Sequence, residues 1–143
     1  MTDRGLSVAV NYVLSLVVAT MLLSGLLLAV GDVVGDRQDA AVRSELEVIG
    51  ERVAAGLDSA DRLSQAGATT AVVRVELPPR VAGTGYRVHL NASAERLELE
   101  AVDDGVRTTV AIRNETPLES SVANGGDLEV VRTAGGKLEV RTA

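Results

Sequence analysis

The side chains able to do acid–base or metal chemistry are few. His89 is the only histidine and there is no cysteine, so a transition-metal site would have to be completed by carboxylates alone. His89 stands among charged residues on the polar side of an alternating segment, and is expected to be a solvated strand residue. Ser-His-Asp chemistry would need a nucleophile context such as G-x-S-x-G, which the chain lacks. Glu98 and Glu100 lie two apart, which puts them on one face of a strand, where they are expected to form a solvated acidic surface. Asp103-Asp104-Gly105 has calcium-attracting residues without the rest of an EF-hand loop, and is expected to be a turn. Val81-Ala82-Gly83-Thr84-Gly85 contains G-x-G but precedes a strand instead of a helix, so it is read as a loop and not as a dinucleotide site. No catalytic residue, metal site or cofactor is expected. Two positions carry modification chemistry: Asn91-Ala92-Ser93 and Asn114-Glu115-Thr116 fit N-x-[ST], the acceptor pattern for N-linked glycans.

Elements that hold such residues must be built from an unusual composition. The chain has 143 residues, 46% hydrophobic but only 1% aromatic, with a net charge of −6. That acidic balance excludes a nucleic-acid partner, because binding a phosphate backbone needs a basic face. Lys137 is the single lysine among many arginines. An acidic, arginine-over-lysine chain with few large apolar side chains looks like a protein from a high-salt archaeon.

From Leu6 to Gly31 no residue is charged. At about 1.5 Å per residue this stretch reaches about 39 Å, enough to cross a hydrocarbon core of about 30 Å. It is therefore read as a membrane helix, with lipid as its first partner. Arg4 and the α-amino group precede it, whereas Asp32, Asp36, Arg37 and Asp39 follow. That asymmetry favours a cytoplasmic N-terminus and an external C-terminal domain, single-pass. The apolar run exceeds a secretory h-region and no A-x-A exit follows, so cleavage at its far end is not expected.

Beyond Gly31 the period becomes amphipathic. Val42, Leu46, Ile49, Val53, Leu57 and Ala60, with Leu63 or Ser64, form one stripe. Arg43, Glu47, Glu51, Arg52, Asp58 and Asp61 are assigned to the opposite face, with Asp58 and Arg62 as an i,i+4 pair. Gly31 and Gly35 mark the place for a kink. Without one, a single helix runs from about Leu6 to Ala66, and Gly67 ends it. Strand patterns follow: Thr70 to Leu77, stopped by Pro78-Pro79; Tyr86, Val88 and Leu90; Leu97 and Leu99; and Val106, Thr108, Val110 and Ile112. Two copies of G-G-x-L-E-V…R-T-A meet at Gly135-Gly136 as a hairpin, where the unmatched Val131 is expected to form a bulge.

The expected fold is thus α+β. A long N-terminal helix, transmembrane in its first half and amphipathic in its second, packs its stripe on a small antiparallel β-sheet domain. The divisions are 1–5, 6–31, 32–66 and a β-rich body over 67–143.

Arg4-Gly5 directly before the run from Leu6 resembles the class III signals of archaeal type IV pilins and archaellins. The layout of membrane helix, charged helix, β-rich body and Gly-Gly hairpin is similar to haloarchaeal pilin-like proteins. The resemblance implies cleavage between Gly5 and Leu6 by a prepilin peptidase, with the helix retained. It also implies pilin-like subunits as partners through that helix. Position +5 after the cut is Val10, so the docking glutamate of many bacterial pilins has no counterpart. Ala9, Asn11, Ala19, Ser24, Gly25 and Ala29 are the residues small or polar enough to sit between closely packed helices. The expected function is structural, a subunit of a surface filament or secretion-pilus assembly. The alternative is an uncleaved signal anchor displaying its β domain for adhesion or as an accessory binding module.

Overall fold

The computed structural model describes residues 2–103 and 105–143, the side chains of residues 2, 3 and 32 excepted. The chain divides into two compact units, Met1–Gln38 and Asp39–Ala143. One α-helix, α1, covers Thr2–Gln65 and contributes to both, unbroken through Gly31 and Gly35. In the first unit every described side chain from Arg4 to Gly31 is exposed. Among the described residues none covers this apolar surface, and the segment is long and apolar enough to cross a membrane.

In the second unit the expected stripe is the floor of the core: Val42, Leu46, Val53, Leu57 and Ala60 are fully buried, and Ile49 nearly so. Ser64 completes it, whereas Leu63 is exposed. The helix stops in a left-handed cap at Gly67 (φ 92°), where the Ala68 amide donates to Leu63 O and the Gly67 amide to Ser64 O, both at 3.1 Å. A φ of that sign is natural only to glycine, and the two bonds satisfy carbonyls that the helix end leaves open.

Seven strands follow: β1 (Val72–Val75), β2 (Tyr86–Asn91), β3 (Arg96–Ala101), β4 (Arg107–Ala111), β5 (Ser121–Asn124), β6 (Leu128–Arg132) and β7 (Leu138–Thr142). They form two antiparallel sheets instead of the single sheet expected, ordered β1-β6-β7 and β4-β3-β2-β5. The seam between them lies at β5 and β7. There the Val140 amide donates to Ser121 Oγ (3.0 Å), and Leu118 bridges Leu138 in parallel. Short side-chain and single-residue links replace a continuous ladder, so the sheets meet without merging.

Each sheet takes one flank of the helix. A Cβ on Gly50 would stand 2.6 Å from Val110 Cγ2 and 3.0 Å from Leu99 Cδ1; one on Gly56 would stand 2.6 Å from Val75 Cγ2. Six residues apart on a helix, these glycines point about 120° from each other. The four-stranded sheet therefore closes in at Gly50 and the three-stranded sheet at Gly56. These glycines weaken the helix by about 1 kcal/mol each relative to alanine, and here they make room for valines on both sides.

The C-terminal hairpin forms with a one-to-one ladder from Leu128↔Thr142 to Arg132↔Leu138, and Val131 pairs with Glu139 without a bulge. The second copy of the repeat runs backwards along the first. One extra residue therefore moves the turn and leaves the pairing intact, with Leu128, Val130, Leu138 and Val140 all buried. The strand expected over Thr70–Leu77 is shorter, Val72–Val75.

Candidate functional site

The residues assigned to helix packing all lie on the exposed apolar part of α1. Stepping 100° per residue places Asn11, Gly25 and Ala29 within about 40° of arc, a single narrow face. Ala9 and Ser24 fall on the other side, and Ala19 stands apart from both groups. The structure thus gathers three of the six into one seam. The Thr20 hydroxyl donates back to Leu16 O (2.8 Å) on a different face, which hides its polarity from the apolar surroundings. Gly5 and Leu6 lie within the helix; Leu6 is 68% exposed, and a Cβ on Gly5 would meet nothing within 4 Å.

The body has a polar centre that wheel counting puts on the wrong face. Asp61 is only 4% exposed. Its Oδ1 accepts the Thr116 amide (2.8 Å), and Oδ2 accepts the Glu115 amide (3.1 Å) and Gln65 Nε2 (2.8 Å). The carboxylate fastens the loop between β4 and β5 to the last turns of α1. Burial pushes its pKa up, but hydrogen bonds from the Thr116 hydroxyl and amide, the Glu115 amide and Gln65 outweigh it and hold the group below its ordinary value. A signal is present in the sequence, since Asp61 lies about 40° from Leu57 on the wheel, at the border of the stripe.

A second carboxylate anchors a tight turn. Val81 and Thr84 pair by two bonds of 2.9 Å around Ala82 (φ 45°) and Gly83 (φ 89°), the sign pattern of a type I′ hairpin turn. Glu45 of α1 accepts the Ala82 amide at 2.9 Å. Thr84 Oγ1 donates to Asp103 Oδ2 (2.7 Å), so Asp103 serves the fold; Asp104, the other half of the calcium-attracting pair, lies outside the described residues. Among the described residues no three His, Asp or Glu side chains come together as a metal would need.

His89, Glu98 and Glu100 share the outer face of the four-stranded sheet, His89 opposite Glu98 in the β2–β3 ladder. The acidic surface expected here is solvated, and each of its two glutamates is paired with an arginine. Arg96 Nε lies 2.8 Å from Glu98 and Arg107 Nη2 lies 2.6 Å from Glu100. These hydrogen bonds hold both carboxyls below the usual range, with His89 adding to the effect. His89 is half-buried, and its Nε2 is sealed from solvent without a partner. Each glutamate is thus matched to its own arginine.

The two sequons differ in setting. Asn91 closes β2 at the mouth of the β2–β3 hairpin, with Ser93 exposed. Asn114 lies in the Asp61-bound loop, with Thr116 buried.

Fold and surface define a class: an α+β domain on an N-terminal helix long and apolar enough to span a bilayer. Within that class, the chain belongs to a family of unknown function, DUF7266, matched over residues 1–143. No curated protein and no solved structure shows significant similarity to it.

Proposed function

We propose that the protein is a type IV pilin-like subunit, which enters the membrane through α1 and packs that helix against copies or relatives of itself. The observation that carries this reading is the contrast along one helix. Every side chain from Arg4 to Gly31 is exposed, whereas from Val42 onward the same helix is the floor of a closed core. An apolar surface of that extent is stable only against lipid or other helices. The Asn11–Gly25–Ala29 seam supplies close approach for a neighbouring helix and an amide that would find its partner there.

In this reading a prepilin peptidase cuts between Gly5 and Leu6 on the cytoplasmic side, and the β body stands outside the cell. The acidic, arginine-rich composition and the Arg4-Gly5 leader support an archaeal, high-salt setting. The body acts as structure, adhesin or part of a secretion pilus, and takes no cofactor.

The test is the N-terminus of the membrane-extracted protein by intact mass and terminal sequencing. A pilin-like subunit begins at Leu6, and Gly5→Leu retains the leader and runs as the longer form. A chain that begins at Met1 or Thr2 in both forms is an uncleaved anchor, and the pilin-like reading fails.

A further inference from the structure

We infer that the fold sorts the two sequons, leaving Asn91 open to N-glycosylation and closing Asn114. In cells this rests on the external placement proposed above. Transfer to asparagine requires Nδ2 to attack the anomeric carbon of a sugar carried on a lipid phosphate. The C1–N bond forms, the C1–O bond to the phosphate breaks, the lipid phosphate leaves, and the amide gives up one proton. The acceptor must therefore present Nδ2 to a bulky donor, with the +2 hydroxyl free to be read.

At Asn114 both conditions fail. Thr116 is buried, and its amide and that of Glu115 are held by the Asp61 carboxylate at 2.8 and 3.1 Å. Asn114 Nδ2 turns inward to donate to Thr116 O, and Oδ1 is sealed from solvent. Freeing this sequon would strip a buried carboxylate of its loop donors and leave it only Gln65, which is costly.

At Asn91 both conditions hold. Ser93 is exposed at the hairpin tip. Asn91 Oδ1 accepts the Ala94 amide (3.1 Å), which orients the side chain. Its Nδ2 donates one hydrogen to Glu98 over 3.3 Å, a long bond to an oxygen that already has Arg96 at 2.8 Å. A glycosylated amide retains one N–H. Asn91 can thus keep Glu98 as a partner while it carries a sugar on the other position.

The experiment offers the folded full-length chain, in detergent, to a purified oligosaccharyltransferase with lipid-linked oligosaccharide, and reads site occupancy by peptide mass spectrometry. Synthetic peptides covering 87–97 and 110–120 serve as acceptors without a fold. Both peptides should be modified. In the folded chain Asn91 should react at least about tenfold faster than Asn114, the factor that one hydrogen bond to a charged group supplies. Asp61→Ala, which frees the loop, should raise occupancy at Asn114 and leave Asn91 unchanged. Comparable rates at the two sites of the folded chain, or an unmodified Asn91 whose peptide is accepted, would overturn the inference. If selectivity holds in the tube but protein from cell membranes carries no glycan, the external placement fails and the sorting by the fold stands.

Discussion

Asp61 makes a heavy demand on the body, because a carboxylate nearly out of water has to be supported by donors. Besides Gln65, one turn along the helix, these come from the distant Glu115–Thr116 loop. Asp61→Ala would leave the buried Thr116 amide without an acceptor, and the expected loss is about 1–3 kcal/mol. Urea titration of a soluble fragment spanning 32–143 measures it, and a midpoint equal to wild type would show that the loop is held by other contacts. The same residue sets a pH dependence. Its folded pKa lies below the ordinary 3.8, so the unfolded chain binds the proton first and the stabilisation is complete only above that value. Stability should fall as pH drops below about 4, and Asp61→Asn should flatten that limb while lowering stability at neutral pH. Residue types and spacing alone make Val42 through Ala60 legible as a stripe. Asp61 is not legible in that way, because a charged side chain at a border position is satisfied or unsatisfied according to which loop arrives there, and the Glu115–Thr116 loop comes from more than fifty residues away.

At the scale of elements, helix and sheets are fitted to each other through two missing side chains. Gly50→Ala improves helix propensity by about 1 kcal/mol, but its Cβ would press on Val110, a β-branched side chain with little freedom to rotate. Overpacking of this kind costs about 1–3 kcal/mol, so the fragment should melt lower. Adding Val110→Ala should recover part of the loss, and a double-mutant cycle should give a coupling of about 0.5–3 kcal/mol. Strictly additive effects would mean the two positions do not touch. The strands are readable from alternation because one face of each is buried, as in Tyr86, Val88 and Leu90. Their division into two sheets is not, since alternation reports which face is wet and says nothing about which strand lies next in order. Val131 misleads for a related reason: a mismatch between repeat copies is a fault only if the copies run parallel, and here they are antiparallel.

For the whole molecule the decisive quantities are charge and core size. Asp3 and Arg4 are the only charged side chains before Asp32, so the 32–143 fragment keeps the full −6. Its core is built of valine, leucine, isoleucine and alanine with Tyr86 as the one aromatic, which leaves little surplus against self-repulsion. Raising salt from 0.1 to 1 M shortens the Debye length from about 10 to about 3 Å. The exposed pair Arg62–Asp58 would lose only about 0–1 kcal/mol, and the solvent-exposed pair Arg96–Glu98 is screened in the same way. The melting temperature of the fragment should therefore rise clearly between 0.1 and 2 M KCl. A level or falling curve would remove the high-salt setting from the proposal.

The strand order also writes a timetable for synthesis. β2, β3 and β4 are neighbours in sequence and in space, and β5 joins them soon after, so the four-stranded sheet can assemble on the helix while translation continues. β1 emerges before any of these, yet its ladder is with β6, Val72 against Val131 and Val75 against Leu128. Until β6 arrives, Val75 has no strand beside it and the Gly56 flank of the helix stays uncovered. Pairing across so much intervening chain is slow, so the nascent chain should pass through a half-closed stage with one flank of its helix bare. A ribosome stalled just before β6 would hold it there, and that is the stage at which a chaperone or a protease would find the most to grip.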